Sequence, residues 1–146
     1  MKNDLEIMRT FFTEDKFVAL AGIEIEEVSM EKAVVSAVIE PRHLNANGFV
    51  QGGMLYTLAD FAFAVLGNYS HPITVTQGGH ISYLRPGTGK KVTATAVEKE
   101  RAGHTTVCEV TVKGEDGKTI CVCSFNGFVK DVDRDEFMKK YQDEQR

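Results

Sequence analysis

His43-Leu44-Asn45-Ala46-Asn47-Gly48-Phe49-Val50-Gln51-Gly52-Gly53 runs directly into Met54-Leu55-Tyr56-Thr57-Leu58-Ala59-Asp60-Phe61-Ala62-Phe63-Ala64-Val65-Leu66-Gly67-Asn68-Tyr69, and this junction decides the fold. The first half is turn chemistry, with two asparagines and Gly48, and it reads as a loop from 41 to 52 with Gly52-Gly53 at the mouth of a helix. The second half is apolar nearly all round, so it predicts a helix that other structure must surround on most sides. Gly67-Asn68 reads as its closing turn and Pro72 prevents continuation. Inside this apolar run stands one carboxylate, Asp60.

Before the loop, Ile23-Glu-Ile-Glu-Glu-Val28 alternates strictly and Ala33 to Glu40 is rich in valine, which predicts two tightly joined strands ended by Pro41. Ahead of them, Leu5, Ile7, Met8, Phe11 and Phe12 predict a short amphipathic helix over 3–12 that packs on the domain edge. After the helix come four strand-like segments, near 74–84, 90–100, 105–113 and 119–130. Pro86-Gly87 with Gly89, Ala102-Gly103 and Asp116-Gly117 separate them, the last as a two-residue hairpin turn with positive φ at both central residues. Continuous hairpins predict an antiparallel meander. The tail from Asp131 is charged and helical in composition, with Phe137, Met138 and Tyr141 on one side.

Residues 1–146 therefore read as one domain, with 1–20 as an N-terminal helical extension and 131–146 as a charged C-terminal tail. The fold class is α+β: an antiparallel sheet curved around a single long helix. Such a sheet leaves an edge strand and a helix flank open, which predicts at least a dimer.

The chain has 146 residues, 42% of them hydrophobic, which is enough for one substantial core. A net charge of −4 with dispersed lysines and arginines argues against nucleic acid as a partner. Cys108, Cys121 and Cys123 make an odd count and behave as small apolar strand residues, which fits a reduced, cytoplasmic setting. Charges interrupt the N-terminus and no uncharged run approaches the ~20 residues that span a bilayer, so no signal peptide and no membrane are expected.

Asp60 loses water among Leu58, Ala59, Phe61 and Ala62, which makes it either a base or a structural anchor. Gly52 and Gly53 place backbone N–H groups at a helix N-terminus, where developing negative charge is favoured; the alternative is an ordinary tight helix start. Asn45 and Gln51 add side-chain amides that can donate to a carbonyl or place a water. Arg85, Lys90, Lys91, Lys99 and Arg101 fall near the ends of two neighbouring strands, where they could meet ligand phosphates or simply be solvated. The four histidines lack metal-ligand spacing and Cys121-x-Cys123 has no second pair, so no metal is expected. Asp60 lies about 12 Å along the helix from Gly52 at ~1.5 Å per residue, too far for both to touch one reacting carbon. Two helices side by side and antiparallel across a two-fold axis bring Asp60 of one to Gly52 of the other, giving two composite sites.

His43-x-Asn45-x-x-Gly48-x-x-Gln51-Gly52-Gly53 followed by Leu58-Ala59-Asp60-x-Ala62 resembles the signature of hotdog-fold thioesterases of the phenylacetate-degradation (PaaI-like) type. The resemblance covers roughly residues 20–130. It implies a homodimer or dimer of dimers hydrolysing acyl-CoA thioesters at the subunit interface, with no cofactor beyond the coenzyme A of the substrate. By the same resemblance Asp60 is general base or nucleophile, the Gly52 N–H polarises the thioester carbonyl, Asn45 places the water or the carbonyl, and Thr76 assists the water. His43 and Gly53 complete the substrate contacts. The family usually has histidine where this chain has Gln51, which can still donate a hydrogen bond but cannot act as an acid near neutral pH. A non-catalytic acyl-CoA or acyl-carrier binding protein is the alternative, with Gln51 as the mark of lost chemistry.

Overall fold

The computed structural model describes residues 3–144, except the side chains of 138, 141 and 142. Of the expected apolar side of the tail, Met138 and Tyr141 therefore lie outside the described residues. The tail forms helix α4 (Arg134–Glu144), and Lys130 Nζ sits 4.8 Å from the centre of the Phe137 ring. No helix among the described residues is long and apolar enough to cross a membrane.

The N-terminal extension folds as α1 (Asp4–Phe11), a 3-10 turn and α2 (Lys16–Ala21). Each helix starts on a side-chain cap: Asn3 Oδ1 accepts from the Glu6 N–H at 2.9 Å and Asp15 Oδ1 from the Val18 N–H at 3.0 Å. Gly22, at φ 69°, ends α2 in the left-handed conformation that a Cβ would disfavour. Phe12 packs edge-on against Phe61 with ring centroids 5.0 Å apart, so the extension covers one flank of the central helix.

That central helix, α3 (Gly52–Ser70), packs against every strand of a six-stranded antiparallel sheet. The strands are β1 (Ile23–Val28), β2 (Ala33–Val38), β3 (Ile73–Tyr83), β4 (Lys91–Ala102), β5 (Thr105–Gly114) and β6 (Thr119–Lys130). The expected α+β architecture, a curved sheet around one long helix, is the one observed. Leu58, Ala59, Ala62, Phe63, Val65 and Leu66 are wholly removed from solvent against inward residues of the sheet such as Val92, Val110 and Phe125.

Three expectations are corrected. First, α3 does not close at Gly67-Asn68 but runs on to Ser70. Gly67 is needed instead for close approach, because a Cβ there would lie 2.9 Å from Thr74 Cγ2. Asn68 bridges helix to strand by accepting the Thr74 N–H at 3.1 Å and donating to the Thr74 carbonyl at 3.2 Å. Second, the last four strands are not one meander: the order is β1-β2-β4-β5-β6-β3, so β3 lies at the far edge beside β6. The connection from β3 to β4 spans residues 84–90, longer than the short loops that keep hairpin strands adjacent, and it crosses the end of the sheet. Third, Asp116 does not take positive φ. Only Gly117 does, at 76°, and its N–H bonds to the Gly114 carbonyl, giving a three-residue loop with a glycine bulge.

Candidate active site

The loop before α3 is built by side chains that bind backbone. His43 is 4% exposed, its Nε2–H donating to the Ala21 carbonyl at 2.8 Å and its Nδ1 accepting the Glu40 N–H at 3.0 Å. Both ring nitrogens are thus used to hold the loop against the end of α2, and neither is left for a substrate. Asn45 Oδ1 accepts the N–H groups of Asn47 and Phe49 at 2.9 and 3.1 Å, closing the turn, while its Nδ2 has no partner among the described residues. The isolated Leu44–Val50 bridge and the Val50 N–H to Gly87 carbonyl bond then pin the loop to the 84–90 connection.

Gln51 is the N-cap of α3, its Oε1 accepting the Met54 N–H at 2.9 Å. A Cβ on Gly53 would fall 2.7 Å from that oxygen, so the second glycine makes room for the capping amide. The Gly52 and Gly53 N–H groups have no partner among the described residues, and Gln51 Nε2 is likewise open. The start of α3 therefore offers two backbone donors and one amide donor at the positive end of a 19-residue helix.

Tyr83, at the end of β3, is a member of this site that sequence reasoning missed. Its hydroxyl donates to the Gly52 carbonyl at 2.9 Å and its ring lies 3.3 Å from where a Gly52 Cβ would stand. Its partner is 31 residues away along the chain, so no local pattern announces it. Asn45, Gly52, Tyr83 and Arg85 share one cavity of about 380 Å³. His43, Gln51 and Gly53 line another on the opposite side of the helix start.

Two turns farther along α3, Asp60 is partly buried and its Oδ1 accepts the Thr76 hydroxyl at 2.9 Å. Burial pushes the Asp60 carboxyl above its ordinary range, the Thr76 hydrogen bond opposes that, and the distant Asp15 carboxylate adds a further small push upward. Thr76 sits where β3 bulges against β6, between Thr76 and Gly78, on the strand whose other edge is unpaired among the described residues. Asp60 and Thr76 form a pair that is not part of either cavity at the helix start.

The cations divide. Arg85 donates from Nη1 to the Thr119 carbonyl at 2.8 Å and keeps the rest of its guanidinium at the cavity edge. Lys91 is ion-paired to Glu26, whose carboxylate also accepts the Ser36 hydroxyl at 2.6 Å. Lys90 is exposed beside the Glu115 carboxylate, which accepts its backbone N–H. Because β3 and β4 are not neighbours, the expected grouping at two adjacent strand ends is not formed. Lys99 and Arg101 lie at the far end of β4, paired with Glu109 and with Asp131 respectively.

A family model described as thioesterase superfamily matches residues 47–121. The chain is 30% identical over 112 residues to the acyl-coenzyme A thioesterase PaaI of Escherichia coli K12, covering 76% of this chain and 80% of that protein. Among solved structures it is similar to E. coli PaaI, from the phenylacetic acid degradation operon, with TM-score 0.79 and 26% identity over 87% of this chain and 96% of that one. It is also similar to a variant of the phenylacetic acid degradation protein PaaI from Thermus thermophilus, with TM-score 0.74 and 33% identity over 80% and 100% of the two chains. A hypothetical thioesterase from Streptococcus pneumoniae, solved with coenzyme A, matches with TM-score 0.72 and 26% identity over 76% and 90%. The hotdog architecture is common to these chains.

Proposed function

This chain belongs to the thioesterase superfamily and is a thioester hydrolase, and from that premise we propose that it cleaves acyl-CoA at a site completed by a second copy of itself. The observation that carries this reading is the pair of open N–H groups at Gly52 and Gly53 under a capping amide, about 12 Å along α3 from the one acid on that helix.

In one protomer the Gly52 N–H holds the thioester oxygen, with Gln51 Nε2 and Asn45 Nδ2 as neighbouring donors. Asp60 of the second copy takes a proton from water, and the resulting hydroxide adds to the carbonyl carbon. The oxyanion collapses, the C–S bond breaks, and the proton reaches the departing coenzyme A sulfur, leaving a free carboxylic acid and CoA thiol. Direct attack by Asp60, through an anhydride that water then opens, uses the same geometry. The route needs no cofactor, since coenzyme A enters and leaves with the substrate. An oxyanion donor of this kind contributes about 3 kcal/mol in the transition state.

The free edge of β3 supports the two-fold pairing: a second β3 laid antiparallel beside it continues the sheet and sets two α3 helices side by side. Arg85 then stands where a CoA phosphate would leave the site, while Lys90 and Lys91 lie at the start of a strand that does not adjoin β3, Lys91 paired with Glu26, and are not counted among its contacts.

Thiol release from aryl, short-chain and long-chain acyl-CoAs tests the activity, with Asp60→Asn as control. Asp60→Asn and Gln51→Glu, each strongly impaired alone, regain activity when mixed and allowed to exchange subunits, because a mixed dimer holds one intact site. Undiminished turnover in Asp60→Asn, or no recovery on exchange, refutes the composite site.

A further inference from the structure

Two cavities open on either side of the same helix start. One takes in Asn45, Tyr83 and Arg85 together with Phe49, Leu55 and Leu84. The other, about 590 Å³, is a groove between α2 and the first turn of α3. Its walls are Phe17 and Leu20 of α2, 65% and 69% exposed, with Leu44 from the loop and the nearly buried Met54. Large apolar side chains grouped around a cleft of this size mark a binding surface.

Most polar groups of the groove are already engaged. Arg42 donates to the Leu20 carbonyl and pairs with Glu40 at 2.8 Å. Both nitrogens of His43 bind backbone, and the Thr57 hydroxyl donates to the Gly53 carbonyl at 2.8 Å. The open donors that remain, Gln51 Nε2 and the Gly53 N–H, stand at the end where the groove reaches the helix start. Apart from the half-exposed Arg42 guanidinium, the rest offers hydrocarbon.

Resting on the hydrolase reading, we propose that this groove is the acyl subsite: a thioester held at Gly52-Gly53 lays its acyl chain along Phe17, Leu20, Leu44 and Met54 and sends its CoA arm toward Arg85. The ligand class is an aliphatic or unsubstituted aryl acyl group of medium length. A hydroxylated chain would surrender water from its polar atoms against the hydrocarbon of Phe17, Leu20, Leu44 and Met54. Phe63 is wholly buried in the core, and Phe61 borders a separate cavity beside Phe12, so neither ring lines this groove. The N-terminal extension thus sets the choice of substrate.

The test is calorimetric titration of octanoyl-CoA and of free CoA into Asp60→Asn protein, with and without the double substitution Phe17→Gln and Leu20→Gln. Both residues are exposed and glutamine keeps helix propensity, so α2 is retained. The expected result is octanoyl-CoA affinity weakened about tenfold with free CoA changed less than about twofold. In the Asp60 background the octanoyl-to-acetyl ratio of kcat/KM falls by a similar factor, and light scattering gives the parent mass. Equal octanoyl-CoA affinity in the two proteins, no binding to either, or equal weakening of both ligands overturns the assignment. A lower oligomeric mass also overturns it, giving the groove to a second copy of the chain. Discriminating binding without thiol release from any acyl-CoA would refute the hydrolytic reading and leave the groove standing.

Discussion

The Thr76 hydroxyl donates to Asp60 Oδ1 at 2.9 Å and so ties the edge strand β3 to the middle of α3. The bond fixes one carboxylate oxygen and leaves Oδ2 without a partner among the described residues. It also stabilises the charged form against burial, which alone pushes this carboxyl upward. Thr76→Val keeps the shape and removes the donor, so the Asp60 carboxyl rises further and the acidic limb of the kcat/KM profile moves to higher pH. A limb that stays in place in a pH-rate series would show that Asp60 is not the group titrating there.

Asp60→Asn should trade activity for stability. Burial holds the folded carboxyl above its unfolded value, so Asp60 favours folding at pH below the unfolded value, and that contribution is lost as pH rises through the folded one. At pH 7 the charged Asp60 is therefore the less stable form, and the asparagine, which can still accept from Thr76, is not penalised. Thermal unfolding should give Asp60→Asn the higher Tm at pH 7, with the gap closing as pH falls through the carboxylate range. A gap independent of pH would assign the effect to something other than the charge.

Gln51 serves two roles that one substitution can separate. Its Oε1 caps α3 and its Nε2 faces the site. Gln51→Glu keeps the acceptor for the Met54 N–H and adds negative charge at a helix N-terminus, which should raise stability by about 0.5 kcal/mol. The same change removes the amide donor and sets an anion beside the developing oxyanion, so kcat should fall on the order of 100-fold. Chemical denaturation and steady-state rates on the same preparation check both halves, and parallel losses in the two would reduce Gln51 to a cap.

The central helix is legible in sequence because its apolar residues occupy the whole circumference, and β5 because Ala102-Gly103 and Asp116-Gly117 bracket it on both sides. The resemblance likewise rests on local spacing between Asn45, Gln51-Gly52-Gly53 and Asp60. What escapes is non-local. Nothing near β3 says that it pairs with β6, and Tyr83 meets Gly52 across 31 residues. Phe17 and Leu20 sit on a six-residue helix too short to display a period, so their exposure beside Met54 appears only in three dimensions. His43 belongs to a readable motif, yet both its ring nitrogens are taken by backbone groups that sequence alone does not bring near it.

Tyr83→Phe isolates one hydroxyl while keeping the ring on Gly52. The Gly52 carbonyl begins the peptide plane that carries the open Gly53 N–H, so the bond to that carbonyl steadies the plane adjoining the Gly52 N–H as well as the Gly53 N–H itself. Its loss should lower kcat about tenfold with KM little changed, and lower stability by about 1 kcal/mol. Wild-type kcat would show that the peptide holds its direction without the tyrosine.

His43→Leu asks whether the histidine belongs to the substrate or to the scaffold. The leucine fills similar space but leaves the Ala21 carbonyl and the Glu40 N–H without their partners at a position only 4% exposed. Two unsatisfied backbone groups in such a place should lower stability by about 2–3 kcal/mol. The loss should show as an earlier urea midpoint at unchanged slope, since the area exposed on unfolding stays the same. Because His43 joins the end of α2 to the loop before α3, its loss should also loosen the wall that carries Leu20, and proteolysis near Gly22 should speed up before global unfolding does. A variant with the parent midpoint and a raised KM would instead place the imidazole against the substrate.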